Sequence, residues 1–191
     1  MYRNAALALL ITCLPVPGAA DSRDGDEDVV SIVPLEQVGT MLGDPGQVVS
    51  AVIVTVSGEI SGRTLQIFQG DTAAKLVGLL LGIREPAFPG GFGALERSAV
   101  KEIGNVIVGA YLNALGQFTG MKVTMSIPAF AIDMAAAILM TSYLNFGSDD
   151  DFVLSIGTRL GVDGVEDLRA HFLLIPEEDS LTRILQALRV T

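Results

Sequence analysis

At 191 residues, half of them apolar, the chain can bury one substantial core and is short for two independent domains. Its 22 acidic residues against 12 basic ones leave a net charge of −10, and lysine occurs only as Lys75, Lys101 and Lys122, so no clustered cationic surface for nucleic acid is expected. Single copies of cysteine (Cys13) and histidine (His171) exclude a disulfide framework or a Cys/His zinc site within one chain.

The first twenty residues mimic a secretory signal: Arg3 precedes the apolar run Ala5 to Leu14, Pro15 follows, and Gly18-Ala19-Ala20 stand before Asp21. Taken alone they support an exported protein of unknown function. Acidic runs at Asp24 to Asp28, Asp149 to Asp151 and Glu177 to Asp179 read as solvated loops or helix starts. Alternation over Val49 to Val56 and Thr64 to Phe68, with Gly58 and Gly62 marking the turn, predicts a β-hairpin. Asp71-Thr72 is expected to cap the helix after it. A linker at 83–93, with Pro86, Pro89, Gly90 and Gly91, leads to a long helix beginning near Leu95. Met134 to Leu144, apolar almost all round, is expected to be a helix buried against the sheet. Strands follow over Phe152 to Ile156 and Arg169 to Ile175, where His171 reads as a structural strand residue, and Asp179-Ser180 begins a last helix.

These elements repeat. Asp71-Thr-Ala-Ala-Lys-Leu-Val-Gly-Leu-Leu matches Asp179-Ser-Leu-Thr-Arg-Ile-Leu-Gln-Ala-Leu at an offset of 108, and Ala51 to Val56 answers Phe152 to Ile156 at an offset near 101. The second copy should therefore carry a longer turn around Gly161 to Asp167. The expected organisation is one domain over 1–191, with a first half-repeat at 4–82, a linker at 83–93 and a second half-repeat at 94–191, each half reading helix, irregular segment, hairpin, helix. Asn4 to Leu10 resembles Ala110 to Gly116, so the N-terminal apolar run would be the tail of a helix equivalent to the long one. Hairpins flanked by helices predict an α+β fold, an antiparallel sheet with pseudo-two-fold duplication and long helices packed against it.

The long helix carries the chemistry. Ser98, Glu102, Asn105 and Gly109 follow the spacing of one helical stripe, extended by Asn113 and Gly116. Val100, Ile103, Ile107, Ala110, Tyr111, Ala114 and Phe118 fall on the other side and should be buried. Gly104 suits close packing. Gly109 and Gly116 each cost about 1 kcal/mol relative to alanine, and read as leaving the polar front bare for a second macromolecule.

Ser-x3-Glu-x2-Asn-x22-Pro, written here by Ser98, Glu102, Asn105 and Pro128, resembles the active-site pattern of the CheC/CheX/FliY phosphatases of bacterial and archaeal chemotaxis. Glu102-Ile-Gly-Asn-Val, Gly109-Ala-Tyr-Leu-Asn-Ala-Leu, Ser126-Ile-Pro-Ala and Asp133-Met-Ala-Ala-Ala-Ile are similar to the second half of CheC, and Ile32-Val-Pro-Leu-Glu-Gln-Val with Val56-Ser-Gly to the first. The likeness implies removal of the phosphoryl group from the aspartyl phosphate of CheY in the cytoplasm, with Glu102 and Asn105 as catalytic residues and Ser98, Pro128 and Gly109 supporting them. An amide such as Asn105 can hold a water against phosphorus, and Glu102 would pair with a cation of the regulator. CheC carries two such motifs and this chain one, Ser22 standing where the first proline would fall, so one functional face is expected. No cofactor or metal site is expected on the chain, the Mg²⁺ belonging to the regulator, and no membrane partner. The alternative function is a non-catalytic adaptor of the receptor deamidase CheD.

Overall fold

The computed structural model describes residues 30–143, 152–162 and 165–187. The signal-like run 1–20, Cys13, Ser22, Leu144 and the acidic runs at 24–28 and 149–151 lie outside the described residues. In chain order the elements are β1 (Val30–Pro34), α1 (Leu35–Met41), β2 (Val48–Gly58), β3 (Gly62–Gln69), α2 (Gly70–Leu81), α3 (Ala94–Thr119), β4 (Val123–Met125), β5 (Ala129–Met134), α4 (Ala135–Tyr143), β6 (Phe152–Val162), β7 (Val165–Pro176) and α5 (Glu178–Ala187).

All described strand pairings are antiparallel, in the order β1-β6-β7-β3-β2, with both β4 and β5 on the free side of β2. The succession β1-α1-β2-β3-α2 is repeated by β5-α4-β6-β7-α5, and the sheet order reads the same from either edge when these elements are exchanged. Leu65 of β3 lies opposite Leu173 of β7, the residue that the 108 offset makes its own counterpart. A pseudo-two-fold axis therefore passes between these two leucines, both buried.

Period-2 alternation sorts the strand residues into two cores. Val52, Val54, Val56, Phe68, Phe172 and Leu174 face α2, α3 and α5. Ala51, Leu65, Ile67, Leu173 and Ile175 face the other way, joined by Val38 and Leu42 of α1 and Ile138 and Leu139 of α4. At the hairpin mouth the chain needs glycine, because Gly62 has φ +151° and a Cβ there would come 2.8 Å from the Cα of Pro176.

Several local expectations are corrected. The segments expected to be irregular hold β1 and α1 in the first half and β4 and β5 in the second. The second hairpin grows by its strands: Val54↔Thr64 corresponds to Ile156↔Phe172, and the second ladder then runs on past a bulge to Val162↔Val165. Helix α2 starts one residue earlier than its Asp-Thr signal, after Gln69, and has no side-chain cap. Ser180 is similarly diverted, its hydroxyl accepting the Ser61 N–H at 3.0 Å while the Ser61 hydroxyl donates to Glu177 at 2.6 Å. The start of α5 is thereby tied to the first hairpin turn. Helix α4 begins at Ala135 and buries one face, leaving Met140 exposed. His171 is a strand residue opposite Ile67 and Gly157, as expected. Among the described residues, no helix is long and apolar enough to cross a membrane.

Candidate functional site

Helix α3 spans 26 residues after its N-cap Gly93, with Glu96 in its first turn and Gly120 in the left-handed conformation (φ +72°) as its stop. Its buried side consists of Val100, Ile103, Gly104, Ile107, Val108, Tyr111 and Leu112. Tyr111 stacks against Phe172 with ring centroids 4.7 Å apart, fixing the helix on the strand next to the axis. Gly104 sets its height above the sheet, since a Cβ there would come within 2.7 Å of the Cβ of Val52. Phe118 departs from expectation: it lies on the buried azimuth but is 72% exposed, near the end of the helix.

The front of α3 presents Ser98 and Glu102 exposed, with Asn105 and Gly109 half-buried. Glu102 and Asn105 are three residues apart, about 4.5 Å along the axis and within one helical face. Among the described residues neither side chain has a hydrogen-bond or ion-pair partner. Both groups are therefore available to a docked molecule.

Pro128 stands on a different element, between β4 and β5. Strands β4 and β5 are two parts of one edge: Val56↔Met125 and Ile53↔Ala129 differ in register by one residue, so three residues, Ser126-Ile127-Pro128, oppose two of β2. This is a β-bulge, and a proline without an N–H fits a position that leaves the ladder. Ser126 closes the gap with its backbone N–H donating to the Thr55 carbonyl at 2.9 Å and its hydroxyl accepting the Thr55 N–H at 3.0 Å. Both strands contact α3. Gly109 is not wholly bare: a Cβ there would sit 3.6 Å from the terminal methyl of Met125, an ordinary contact. Gly116 has a packing reason instead, since its Cβ would come 3.0 Å from the Met121 carbonyl where the chain folds back.

On the other side of Glu102, between α2 and α3, lies a groove of about 370 Å³ lined mainly by leucine, isoleucine and valine, with Ser98 and Glu102 as its polar members. Neither this groove nor the outward Ile127, 88% exposed, was foreseen from the sequence. Periodicity alone assigns such residues to a core. Among the described residues no cluster of His, Cys, Asp and Glu could hold a metal ion. His171, far from these groups in sequence and on β7, has its pKa lowered, first by burial and second by the charge of Arg169.

Comparison with known proteins gives the same direction as the motif. The family described as chemotaxis phosphatase CheX matches residues 50–146, just over half of the chain, a span that contains Ser98, Glu102, Asn105, Gly109 and Pro128. The CheY-P phosphatase CheC of Bacillus subtilis (strain 168) is 22% identical over 169 residues, 86% of this chain and 80% of that protein. A putative CheY-P phosphatase CheC1 of Halobacterium salinarum (strain ATCC 29341 / DSM 671 / R1) is 27% identical over 99 residues, 52% of this chain and 49% of that protein. Among solved structures, Thermotoga maritima FliY superposes with a TM-score of 0.66 at 14% identity, covering 84% of this chain and 78% of that one. That likeness supports the fold.

Proposed function

The chain belongs to the chemotaxis phosphatase CheX family, and from that membership we propose that it hydrolyses the aspartyl phosphate of a CheY-type response regulator, with Asn105 positioning the attacking water and Glu102 pairing with a cation of the regulator. The observation that carries this reading is the pair itself, an amide and a carboxylate one turn apart on an unobstructed helix face and without partners among the described residues.

Phosphoryl transfer to water needs in-line alignment and charge stabilisation more than covalent help. The oxygen of Asn105 accepts a hydrogen bond from the water, turning a lone pair of that water toward phosphorus, while the amide N–H₂ donates to a phosphoryl oxygen and the water's protons leave with the phosphate. Water forms the new P–O bond as the bond to the regulator's carboxylate breaks, releasing inorganic phosphate and the free aspartate. Glu102 would repel the phosphate itself, so it suits a cation beside the phosphoryl group. Ser98, one turn earlier, extends the polar rim, and the bulge at Pro128 sets the edge against which the partner stands. The reading implies a cytoplasmic chain and a Mg²⁺ ion held by the regulator.

Steady-state release of inorganic phosphate from a phosphorylated CheY-type regulator tests it. The parent is expected to accelerate release, and Asn105→Ala to lower kcat by about 100-fold, the scale of losing a positioned nucleophile. An Asn105→Ala protein as active as an accelerating parent would refute the role of Asn105, and a parent without effect on release would refute catalysis. In the adaptor alternative, CheD is retained by the inactive variant while the parent leaves phosphate release unchanged.

A further inference from the structure

The groove beside Glu102 is not used by the hydrolysis just described. Its walls are Leu80 and Leu81 from the last turn of α2 and Leu95, Ala99, Ile103 and Val106 from the first half of α3. Leu95 is 62% exposed on this wall. Apolar surface of this kind gains when a partner covers it.

We propose that the groove seats an apolar side chain of the same response regulator whose phosphoryl group faces Asn105, and that the cation paired with Glu102 lies directly beside that side chain on the regulator's surface. The inference rests on the phosphatase reading and adds the chemistry of the partner: an aliphatic or aromatic side chain flanked by a lysine or arginine. Charge argues for this occupant. Glu102 is the charged residue of the groove's lining, and its carboxylate has no ion-pair partner among the described residues. An apolar group with a cation at its side matches both the wall and the rim. Position argues for it as well, because Glu102 belongs to the groove and to the face bearing Asn105, so one docked surface spans both. A volume of about 370 Å³ is at the small end of ligand sites, which suits an inserted side chain.

The test is the dependence of phosphate release on regulator concentration, using a CheY-type regulator phosphorylated with acetyl phosphate and the full chain. Ala99→Met fills the groove with a good helix former, and Leu95→Ser removes an exposed part of its wall. Each is expected to raise KM about tenfold or more while the loss in kcat stays within twofold, whereas Asn105→Ala lowers kcat and leaves KM near the parent value. Unchanged KM in both groove variants, with Asn105→Ala still inactive, overturns the groove proposal and leaves the phosphatase reading standing. Full activity of Asn105→Ala overturns the role given to Asn105, and a parent that leaves phosphate release at its spontaneous rate overturns the phosphatase reading itself. A change in the sedimentation or melting temperature of both groove variants without a change in KM assigns the groove to a second copy or another segment of this chain, and also overturns the proposal. Circular dichroism of Leu95→Ser guards against a folding defect, since an exposed side chain is the one replaced.

Discussion

The two edges of the sheet occupy equivalent places about the pseudo-two-fold axis and, among the described residues, differ in what continues them. Strand β1 pairs with β6 over five residues in a single register, from Val30↔Ile156 to Pro34↔Phe152. Its counterpart β5 is continued past a bulge by β4, and α3 lies against both. The shared part of the two halves builds the frame. Among the described residues the inserted residue, Pro128 and the polar front of α3 are all on the β5 side. The paired elements account for the frame, and the bulged edge beside α3 carries the candidate site.

The largest expected effect tests the frame itself. Leu65→Ala and Leu173→Ala each remove a buried side chain at the axis and are expected to cost about 2–5 kcal/mol in urea unfolding. Because the two leucines oppose one another, the double variant should depart from the sum by about 0.5 kcal/mol or more. Additive losses would mean that the two side chains do not pack on one another across the axis. A smaller effect belongs to the bulged edge. Ser126→Ala leaves the Thr55 N–H without its side-chain acceptor and is expected to cost about 1 kcal/mol, with Ser126→Thr restoring most of it. Equal stability of the parent and Ser126→Ala would show that the backbone holds the bulge without that hydroxyl.

The smallest effect compares β7 with β3. His171 stands where the 108 offset puts Arg63 in the first copy. Its pKa is depressed below 6.5 by burial and by Arg169, so as pH falls through 6.5 the unfolded chain takes up a proton that the folded chain refuses. Stability contributed by the neutral imidazole is present above pH 6.5 and is lost as pH falls toward the depressed folded value. His171→Asn should therefore show a shallower fall in melting temperature between pH 6.5 and 5 than the parent. Parallel profiles would contradict the burial of the ring.

Much of this was legible in the sequence, for identifiable reasons. The first hairpin announced itself through strict alternation bounded by Gly58 and Gly62, and the long helix through its 3.6-residue period and the spacing of Ser98, Glu102 and Asn105. The repeat was visible because α2 and α5 begin with similar acidic and hydroxyl residues. Strands β1, β4 and β5 were not visible: they are short, lie at the edges, and owe their conformation to β6 and β2. Phe118 was misplaced because periodicity states an azimuth and not where the sheet stops supporting a helix. The cap expected at Asp179-Ser180 failed because Ser180 found a partner 119 residues away, which no local pattern contains. For the site, the motif located the polar groups, whereas the groove and the exposed Ile127 required knowing which apolar residues stay uncovered.

The central claim, that Asn105 on this helix face dephosphorylates a docked regulator, is tested most directly by single-turnover decay of the phosphorylated regulator with the chain in saturating excess. The account predicts decay well above the spontaneous rate for the parent, and a return to about the spontaneous rate for Asn105→Ala under conditions where the variant still binds. Equal, accelerated decay with both proteins would contradict it.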